Sequence, residues 1–167
     1  KATSQPRAWR EVDPDFSFLP VQHCWPGDAG PLITWPLVVT RAPGADDFSS
    51  YNLGIYRIQV VDHDKAIMRW LPMRGGAVHH RLWQARGEEM PVAVVIGADP
   101  ATLIGAVMPA PEGVSELALA GMINGRRATV APCASVPLHV PSSAEIVLEG
   151  TVSPQETVLE GPFGDHT

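Results

Sequence analysis

Proline and glycine interrupt this chain so often that long regular elements are excluded. The 167 residues include 17 prolines and 15 glycines, spread from end to end. Proline lacks the backbone N–H that helix interiors and central strands need, and glycine favours turns. The runs between these stops are short, and many are apolar and β-branched. The sequence therefore predicts a β-rich α+β domain of roughly five to seven short strands and two or three short helices.

Several runs have the composition of strands. Pro31–Thr40 is apolar and β-branched, and Pro36 inside it predicts a sheet edge or a bulge. Tyr51–Val61 alternates, and Ala66–Leu71 fits the return strand of a hairpin. Met90–Gly97 is so uniformly apolar that we expect burial on both faces. Shorter strands are predicted at 126–131, 138–140 and 145–149.

Short helices are predicted from their start signals. A helix over 77–86 follows two glycines. Asp99 can cap a helix that begins with Pro100 and runs to Met108, because proline is well tolerated at a first helical position. Ser115 is a candidate N-cap for an apolar helix over 117–123.

Composition and charge restrict the classes of partner. The formal net charge is −6, the pI is near 5.4 and only 18% of residues are charged. These values and the lack of a basic cluster argue against binding nucleic acid or an anionic membrane. Small organic molecules are the expected partners. No apolar run approaches the ~20 residues that span a bilayer.

The cysteines and the chain ends suggest location and domain organisation. Cys24 and Cys133 lack paired spacing, so we expect free thiols in a reducing compartment, the cytoplasm. Residues 1–18 are polar and without period, which predicts an arm or linker before a single domain over 19–167. Because the first residue is Lys1, we expect the sequence to be a piece of a longer protein.

Candidate site residues occur in the middle of the chain. Asn52 and Arg57 are five positions apart, which on an ideal strand puts them on opposite faces. A bulge at Gly54 would restore a common face, or the strand could separate two partners. Asn52, His79 and Glu116 offer an amide oxygen, an imidazole and a carboxylate, a mixed set suited to Mn²⁺ or Mg²⁺. His80 is an alternative to His79.

The end of the chain carries two carboxylates in a turn. Glu160 and Asp165 are five positions apart, and Gly161, Pro162 and Gly164 between them exclude a helix. Two acids that share a pocket with a cation can divide into a proton donor and a charged partner. Because Asp165 lies two residues from the chain end, we expect 160–167 to fray or to be misplaced.

Several stretches, taken in order, resemble the UbiD-type reversible decarboxylases. They are Asn52–Arg57, Arg74–Ala77, Ala98–Thr102, Pro111–Glu116, Ala144–Gly150 and Glu160–Thr167. The similarity extends from about Leu19 to the end. The resemblance implies a split β-barrel of flavin-reductase-like type that holds prenylated FMN with Mn²⁺ or Mg²⁺ and K⁺.

The resemblance also implies roles for individual residues. The metal ligands would be Asn52, His79 and Glu116, and the catalytic residues would be Arg57, Glu160 and Asp165. The residues that line the flavin would be Thr34, Gly54, Ile55, Arg57 and Pro109, with Met108 near K⁺.

The implied activity is non-oxidative decarboxylation of an aromatic or α,β-unsaturated acid, most like 3-polyprenyl-4-hydroxybenzoate of ubiquinone biosynthesis. A polyprenylated substrate would place the enzyme at the periphery of the inner membrane. A flavin prenyltransferase would supply the cofactor, and the full-length protein would be a homo-oligomer. Two alternatives stay open: a flavin-phosphate and metal-binding domain that does not turn over on its own, and a metal-dependent hydrolase.

Overall fold

The computed structural model describes residues 2–110 and 114–164. Its strands, β1 to β10 in chain order, are Thr3–Ser4, Leu32–Ile33, Leu37–Arg41, Tyr51–Ile55, Ile58–Val60, Ala66–Met68, Met90–Ile96, Thr129–Pro132, His139–Pro141 and Ile146–Val152. Its α-helices, α1 to α3, are Gly75–Gln84, Pro100–Val107 and Glu116–Ile123.

The strands form three open sheets with the orders β1-β8-β9, β10-β7-β3-β4 and β2-β5-β6. Neighbouring strands are antiparallel, except that β1 runs parallel to β8. The predicted β-rich α+β class is confirmed, although the described ranges hold ten strands because several have only two or three residues. None of the helices in these ranges combines the length and apolar character that crossing a membrane requires.

Pro36 divides the first apolar run between two sheets. Leu32–Ile33 pairs with β5, whereas Leu37–Arg41 lies between β7 and β4 in the four-stranded sheet. The prediction of an edge or a bulge at Pro36 is therefore wrong. A proline placed between two strands removes no hydrogen bond from either ladder, so β3 can occupy a central position.

The second long run, 51–61, divides in the same way. β4 pairs with β3 without a break in register, and β5 pairs with β2 and β6. Tyr56 and Arg57 form the connection between the two sheets. Strand alternation therefore does not fix the relation of Asn52 to Arg57, and the unbroken β3–β4 register contains no bulge at Gly54.

The capping residues explain where two of the helices begin. The Asp99 side chain accepts from Thr102 N at 3.1 Å, and Pro100 is the first residue of α2. The Ser115 side chain accepts from Ala118 N at 3.3 Å at the start of α3. Helix α1 spans Gly75–Gln84, two residues earlier than the predicted 77–86, because the two glycines belong to its first turn. The buried strand predicted at 90–97 is also confirmed as β7.

Two apolar cores lie on opposite faces of the four-stranded sheet. Val39 belongs to one core and Val38 to the other, because successive strand residues point to opposite faces. Leu117 of α3 joins the core of Val39. On the other face, Gly76 of α1 lies against the ring of Tyr56, which belongs to the core of Val38.

The N-terminal residues predicted as an arm are attached to this domain. Thr3–Ser4 pairs with β8, and Trp9 Nε1 donates to Pro132 O at 3.1 Å. Trp9 packs against the core of Val39, and Phe16 against that of Val38. The described part of the segment docks because its rings cover apolar surface. The domain boundary at residue 18 stays a prediction.

Candidate active site

An Arg57–Glu160 ion pair forms the centre of the site. Arg57 Nε donates to Glu160 Oε1 at 2.5 Å and its Nη2 donates to Oε2 at 2.8 Å, a bidentate arrangement. Their side chains are only 13% and 10% exposed. Arg69 Nε lies 3.9 Å from Glu160 Oε2 on the more open side. The structure therefore brings together two of the three predicted catalytic residues from positions far apart in sequence.

The turn that carries Glu160 is anchored by its backbone and by one ring. Gly161, with φ +84°, donates its N–H to Gln59 Oε1 at 2.9 Å. Pro162 O accepts from Ala29 N at 2.9 Å. The Phe163 ring is 5% exposed, and the Arg57 guanidinium lies over it at 5.3 Å. Glu160 is thus held on a defined stretch of chain although it belongs to no helix or strand.

The expectation of fraying is wrong for residues 160–164. Buried Phe163 and the hydrogen bonds to Gln59 and residues 28–29 dock this segment against the domain. Nothing in the residues of the turn itself indicates that the Phe163 side chain is buried. Asp165, the third predicted catalytic residue, lies outside the described residues, as do His166 and Thr167.

A cavity of about 250 Å³ opens beside the ion pair. Arg57 and Phe163 line it, together with Cys24, Trp25, Asp28, Leu32, Thr34 and Gly164. Thr34, a predicted flavin-lining residue, therefore shares this cavity with Arg57. Aromatic and aliphatic walls around a guanidinium suit a small apolar molecule that carries a carboxylate.

Glu116, at the first position of α3, is a partly buried carboxylate without a cationic partner in the described ranges. Burial raises its pKa, and the backbone N–H groups of Glu116 and Leu53 offset this only in part. The distance from Leu53 N to Glu116 Oε2 is 3.5 Å, at the outermost strand of the sheet. A carboxylate in this setting fits a role as ligand to a cation.

His79 faces the same strand region. Its Nδ1 lies 3.0 Å from Oγ1 of Thr40, which is fully buried and pairs directly with Asn52 across β3 and β4. Burial lowers the His79 pKa, which favours the neutral imidazole that metals bind. If Nδ1 holds the proton for Thr40, the lone pair is on Nε2.

His80 points elsewhere. Its Nε2 donates to Ser153 O at 2.9 Å, and its ring lies 5.6 Å from that of Trp70. A ring nitrogen that donates to a carbonyl has no lone pair for a metal. Of the two neighbouring histidines, His79 is the one that contacts Thr40, the direct strand partner of Asn52.

Asn52 completes this group. Its Nδ2 lies 3.4 Å from the Tyr56 hydroxyl, which also accepts from Gly76 N at 3.2 Å. Its Oδ1 lies 1.8 Å from where a Cβ on Gly75 would be, so any larger residue at that position would displace the Asn52 amide. Asn52, His79 and Glu116 therefore gather around residues 52–53 of β4. An amide oxygen, an imidazole and a carboxylate are a chemically suitable donor set for Mn²⁺ or Mg²⁺.

The other predicted flavin-lining residues differ in their surroundings. A Cβ on residue 54 would lie 2.6 Å from the Tyr56 ring, so glycine at this position leaves room for the ring to pack against the strand. The backbone groups of Ile55 point to the same outer edge as those of Leu53, two residues earlier. Met108 and Pro109 are both exposed and directly follow α2.

Sequence reasoning missed four residues that support the site: Asp28, Thr40, Tyr56 and Gln59. Gln59 carried no usable signal, because a polar side chain between the apolar Ile58 and Val60 is the ordinary alternation of a half-buried strand. Thr40 and Tyr56 carried none, since both residue types are common in strands. Asp28 was indistinguishable from an ordinary turn residue.

A comparison with family models identifies the chain's relatives. The model described as UbiD, 3-octaprenyl-4-hydroxybenzoate carboxy-lyase Rift-related domain, matches residues 1–167.

Solved structures give the same relationship. Vanillic acid decarboxylase of Sedimentibacter hydroxybenzoicus, in its closed form, is 34% identical with a TM-score of 0.82, over 87% of this chain and 31% of that one. The UbiD-class enzyme HmfF of Pelotomaculum thermopropionicum, in complex with FMN, is 32% identical with a TM-score of 0.83, over 91% and 34%. An evolved dimeric form of HmfF, in complex with prFMN, is 32% identical with a TM-score of 0.79, over 87% and 33%.

The chain spans about a third of the length of these matched structures. The family model nevertheless covers every residue of the chain, and the shared part is similar in both sequence and fold. The chain therefore belongs to the UbiD family of carboxy-lyases.

Proposed function

We propose that this chain forms the cofactor-binding part of an enzyme that decarboxylates an aromatic acid without net oxidation, using prenylated FMN. The buried Arg57–Glu160 pair beside the cavity is the observation that carries the proposal. The names of the matched structures, a vanillic acid decarboxylase and enzymes with FMN or prFMN, support this chemistry. A 3-polyprenyl-4-hydroxybenzoate of ubiquinone biosynthesis is the proposed substrate.

In this proposal Arg57 orients two acid groups, the Glu160 carboxylate and the carboxylate of the substrate. Its planar guanidinium is fixed by Glu160 on one edge and by the Phe163 ring on one face, and it lines the cavity. A substrate carboxylate that entered the cavity would meet this cation with little loss of side-chain freedom. Bound prenylated FMN would supply the electron sink that loss of CO₂ requires. Glu160 or Asp165 would deliver the proton that replaces CO₂.

The proposed residues that hold the cofactors are those on and around β4. Thr34, Gly54, Ile55, Arg57 and Pro109 would contact the flavin, while Asn52, His79 and Glu116 would bind Mn²⁺ or Mg²⁺. Three protein ligands leave positions on an octahedral ion for phosphate or water. Met108 would lie near K⁺. We further propose a split-barrel fold type, cofactor supply by a flavin prenyltransferase, and homo-oligomerisation of the intact protein.

The catalytic assignment is tested by CO₂ release from the intact protein. The assay supplies prenylated FMN, Mn²⁺ and K⁺, with 3-polyprenyl-4-hydroxybenzoate and vanillic acid as substrates. Glu160→Gln should lower kcat by roughly 100-fold or more, because it removes a charged partner of Arg57 and a candidate proton donor. Glu156→Gln, an exposed carboxylate four positions earlier, is the control. Undiminished turnover by Glu160→Gln would refute the assignment.

The metal assignment is tested without turnover. Mn²⁺ is titrated into the metal-free intact protein and the free ion is followed by electron paramagnetic resonance. Glu116→Ala should weaken binding by at least about 10-fold, because the ion loses an anionic ligand. Glu88→Ala, an exposed carboxylate just before β7, should bind like the parent. Equal affinities of the parent and Glu116→Ala would show that the ligand set is wrong.

A further inference from the structure

The loop 23–28 is closed on itself and lies against the catalytic turn. Asp28 N donates to Trp25 O at 3.0 Å, and Trp25 N donates to Asp28 Oδ2 at 3.0 Å. His23 Nε2 donates to Asp28 O at 3.1 Å. Three hydrogen bonds within six residues give this loop a defined shape, although it contains no helix or strand.

Asp28 also reaches across to the chain segment that carries Glu160. Its second oxygen, Oδ1, accepts from Gly164 N at 3.2 Å. Ala29, which follows the loop, donates its N–H to Pro162 O at 2.9 Å, so residues 28 and 29 both bond to the turn. One carboxylate therefore connects the N–H groups of two segments that are far apart in sequence.

This connection defines one side of the cavity. Trp25 and Asp28 of the loop line the cavity, and so do Phe163 and Gly164 of the turn that Asp28 holds, together with Arg57. Gly164 approaches Trp25 closely enough that an added Cβ would lie 3.4 Å from the indole Cδ1. Without the Asp28 carboxylate, the Ala29–Pro162 hydrogen bond would be the one left between this region and the turn within residues 2–110 and 114–164.

The chemistry requires a carboxylate at this position. Both of its oxygens accept from backbone N–H groups, and an asparagine side chain has only one acceptor oxygen. Replacement by asparagine would place an NH₂ group opposite an N–H donor on one side. The bond to Trp25 closes the loop locally, whereas the bond to Gly164 acts between segments.

We propose that Asp28 is a positioning residue of the decarboxylase site: it holds the Glu160–Gly164 turn in register with the loop wall, and thereby fixes Glu160 on Arg57. This inference rests on the proposed function for its catalytic consequence. Displacing a catalytic group by as little as an ångström can cost about 100-fold in rate. Asp28 itself would contact neither substrate nor the reacting atoms.

The structural part is tested by hydrogen exchange on the intact protein, compared among the parent, Asp28→Asn and Asp28→Ala. The amides of Gly161, Phe163 and Gly164 should exchange about tenfold faster in Asp28→Ala, while those of β7 should be unchanged. Asp28→Asn should show an intermediate effect because it keeps one acceptor. Asp64→Asn, an exposed carboxyl on the hairpin between β5 and β6, is the control. Equal exchange at 161–164 in all four proteins would overturn the proposal.

The catalytic part is tested by a double-mutant cycle with Glu160→Gln under the same cofactor supply. Asp28→Ala should lower kcat by about 10- to 100-fold with KM changed less than kcat. Asp28→Ala added to Glu160→Gln should cost little more, because the two changes disable one unit. Fully additive losses, or an unchanged kcat, would overturn the positioning role. The exchange measurement needs no substrate, so failure of every acid to react would overturn the proposed function alone.

Discussion

Glu116 and Glu149 are both partly buried carboxylates, yet their surroundings move the pKa in opposite directions. Burial is the largest effect on each and raises the pKa. At Glu149 this is outweighed by donors from a single tight loop, namely Ser135 Oγ and the N–H groups of residues 134–136. The net pKa of Glu149 is lowered, whereas that of Glu116 stays raised. Glu149 is a satisfied structural anion, and Glu116 is suited to a cation.

Burial also makes the two thiols differ in reactivity. Burial, with the Glu149 carboxylate nearby, raises the pKa of Cys133 to about 12, whereas Cys24 is exposed. The thiolate is the reactive form, so Cys133 should be inert at pH 8. With a chromogenic disulfide reagent, we expect one thiol to react rapidly in the native chain and a second only in denaturant. Cys24→Ser should remove the rapid phase, and its persistence in that variant would contradict the prediction.

At the scale of the element, Asp99 connects α2 to two other segments. It caps the helix through Thr102 N and also accepts from Thr102 Oγ1, Asn124 Nδ2 and Ser143 Oγ. Burial raises the pKa of Asp99, but the hydrogen bonds outweigh it, so the net pKa is lowered. The ionised side chain therefore stabilises the junction of α2 with the end of α3 and the turn before β10.

Asp99→Ala should lower the free energy of unfolding by about 1–2 kcal/mol, as loss of a helix cap does. A lowered carboxyl pKa contributes stability that is complete above the unfolded value of 3.8 and is lost as the pH falls through the folded value. The difference from the parent should thus be constant between pH 5 and 8 and smaller below about pH 4. Urea melts over this range measure it. Asp13→Ala, an exposed aspartate, should behave as the parent.

Local signals in the sequence predicted the elements better than their partners. Helix α2 and β7 were predicted because capping and uniform apolarity act over neighbouring residues. The split of 51–61 at Tyr56 was not, because pairing with distant β2, β3 and β6 decides it. The resemblance brought Arg57 and Glu160 together across 103 positions, which spacing alone cannot do. Supporting residues such as Asp28 depend on contacts that local patterns do not encode.

At the scale of the whole molecule, one sheet joins the two cores. Neighbouring residues of β3 and β7 contribute to opposite cores, so neither core has strands of its own in this sheet. Because both cores pack on the same strands, loss of one core removes support from those strands and therefore weakens the other core. We therefore expect the two cores to unfold together.

Val38→Ala and Val39→Ala test this cooperativity, since both valines are fully buried but face different cores. Each should lower the free energy of unfolding by roughly 1–3 kcal/mol. In urea, far-UV circular dichroism and tryptophan fluorescence should report the same midpoint for each variant. Ala110→Gly, exposed after α2, is a control for a small surface change. Separate midpoints for the two signals would show two independently unfolding parts.

The short connection at Tyr56 and Arg57 also sets an upper limit on the distance between Asn52 and Arg57. Five residue steps of fully extended backbone reach about 18 Å at most, so the α-carbons of Asn52 and Arg57 can never be farther apart than that. A ligand that contacts both residues must therefore fit within this covalent limit, which no change of sheet packing or partner can increase. Inserting one residue between Gly54 and Tyr56 would raise this upper limit by about 3.6 Å.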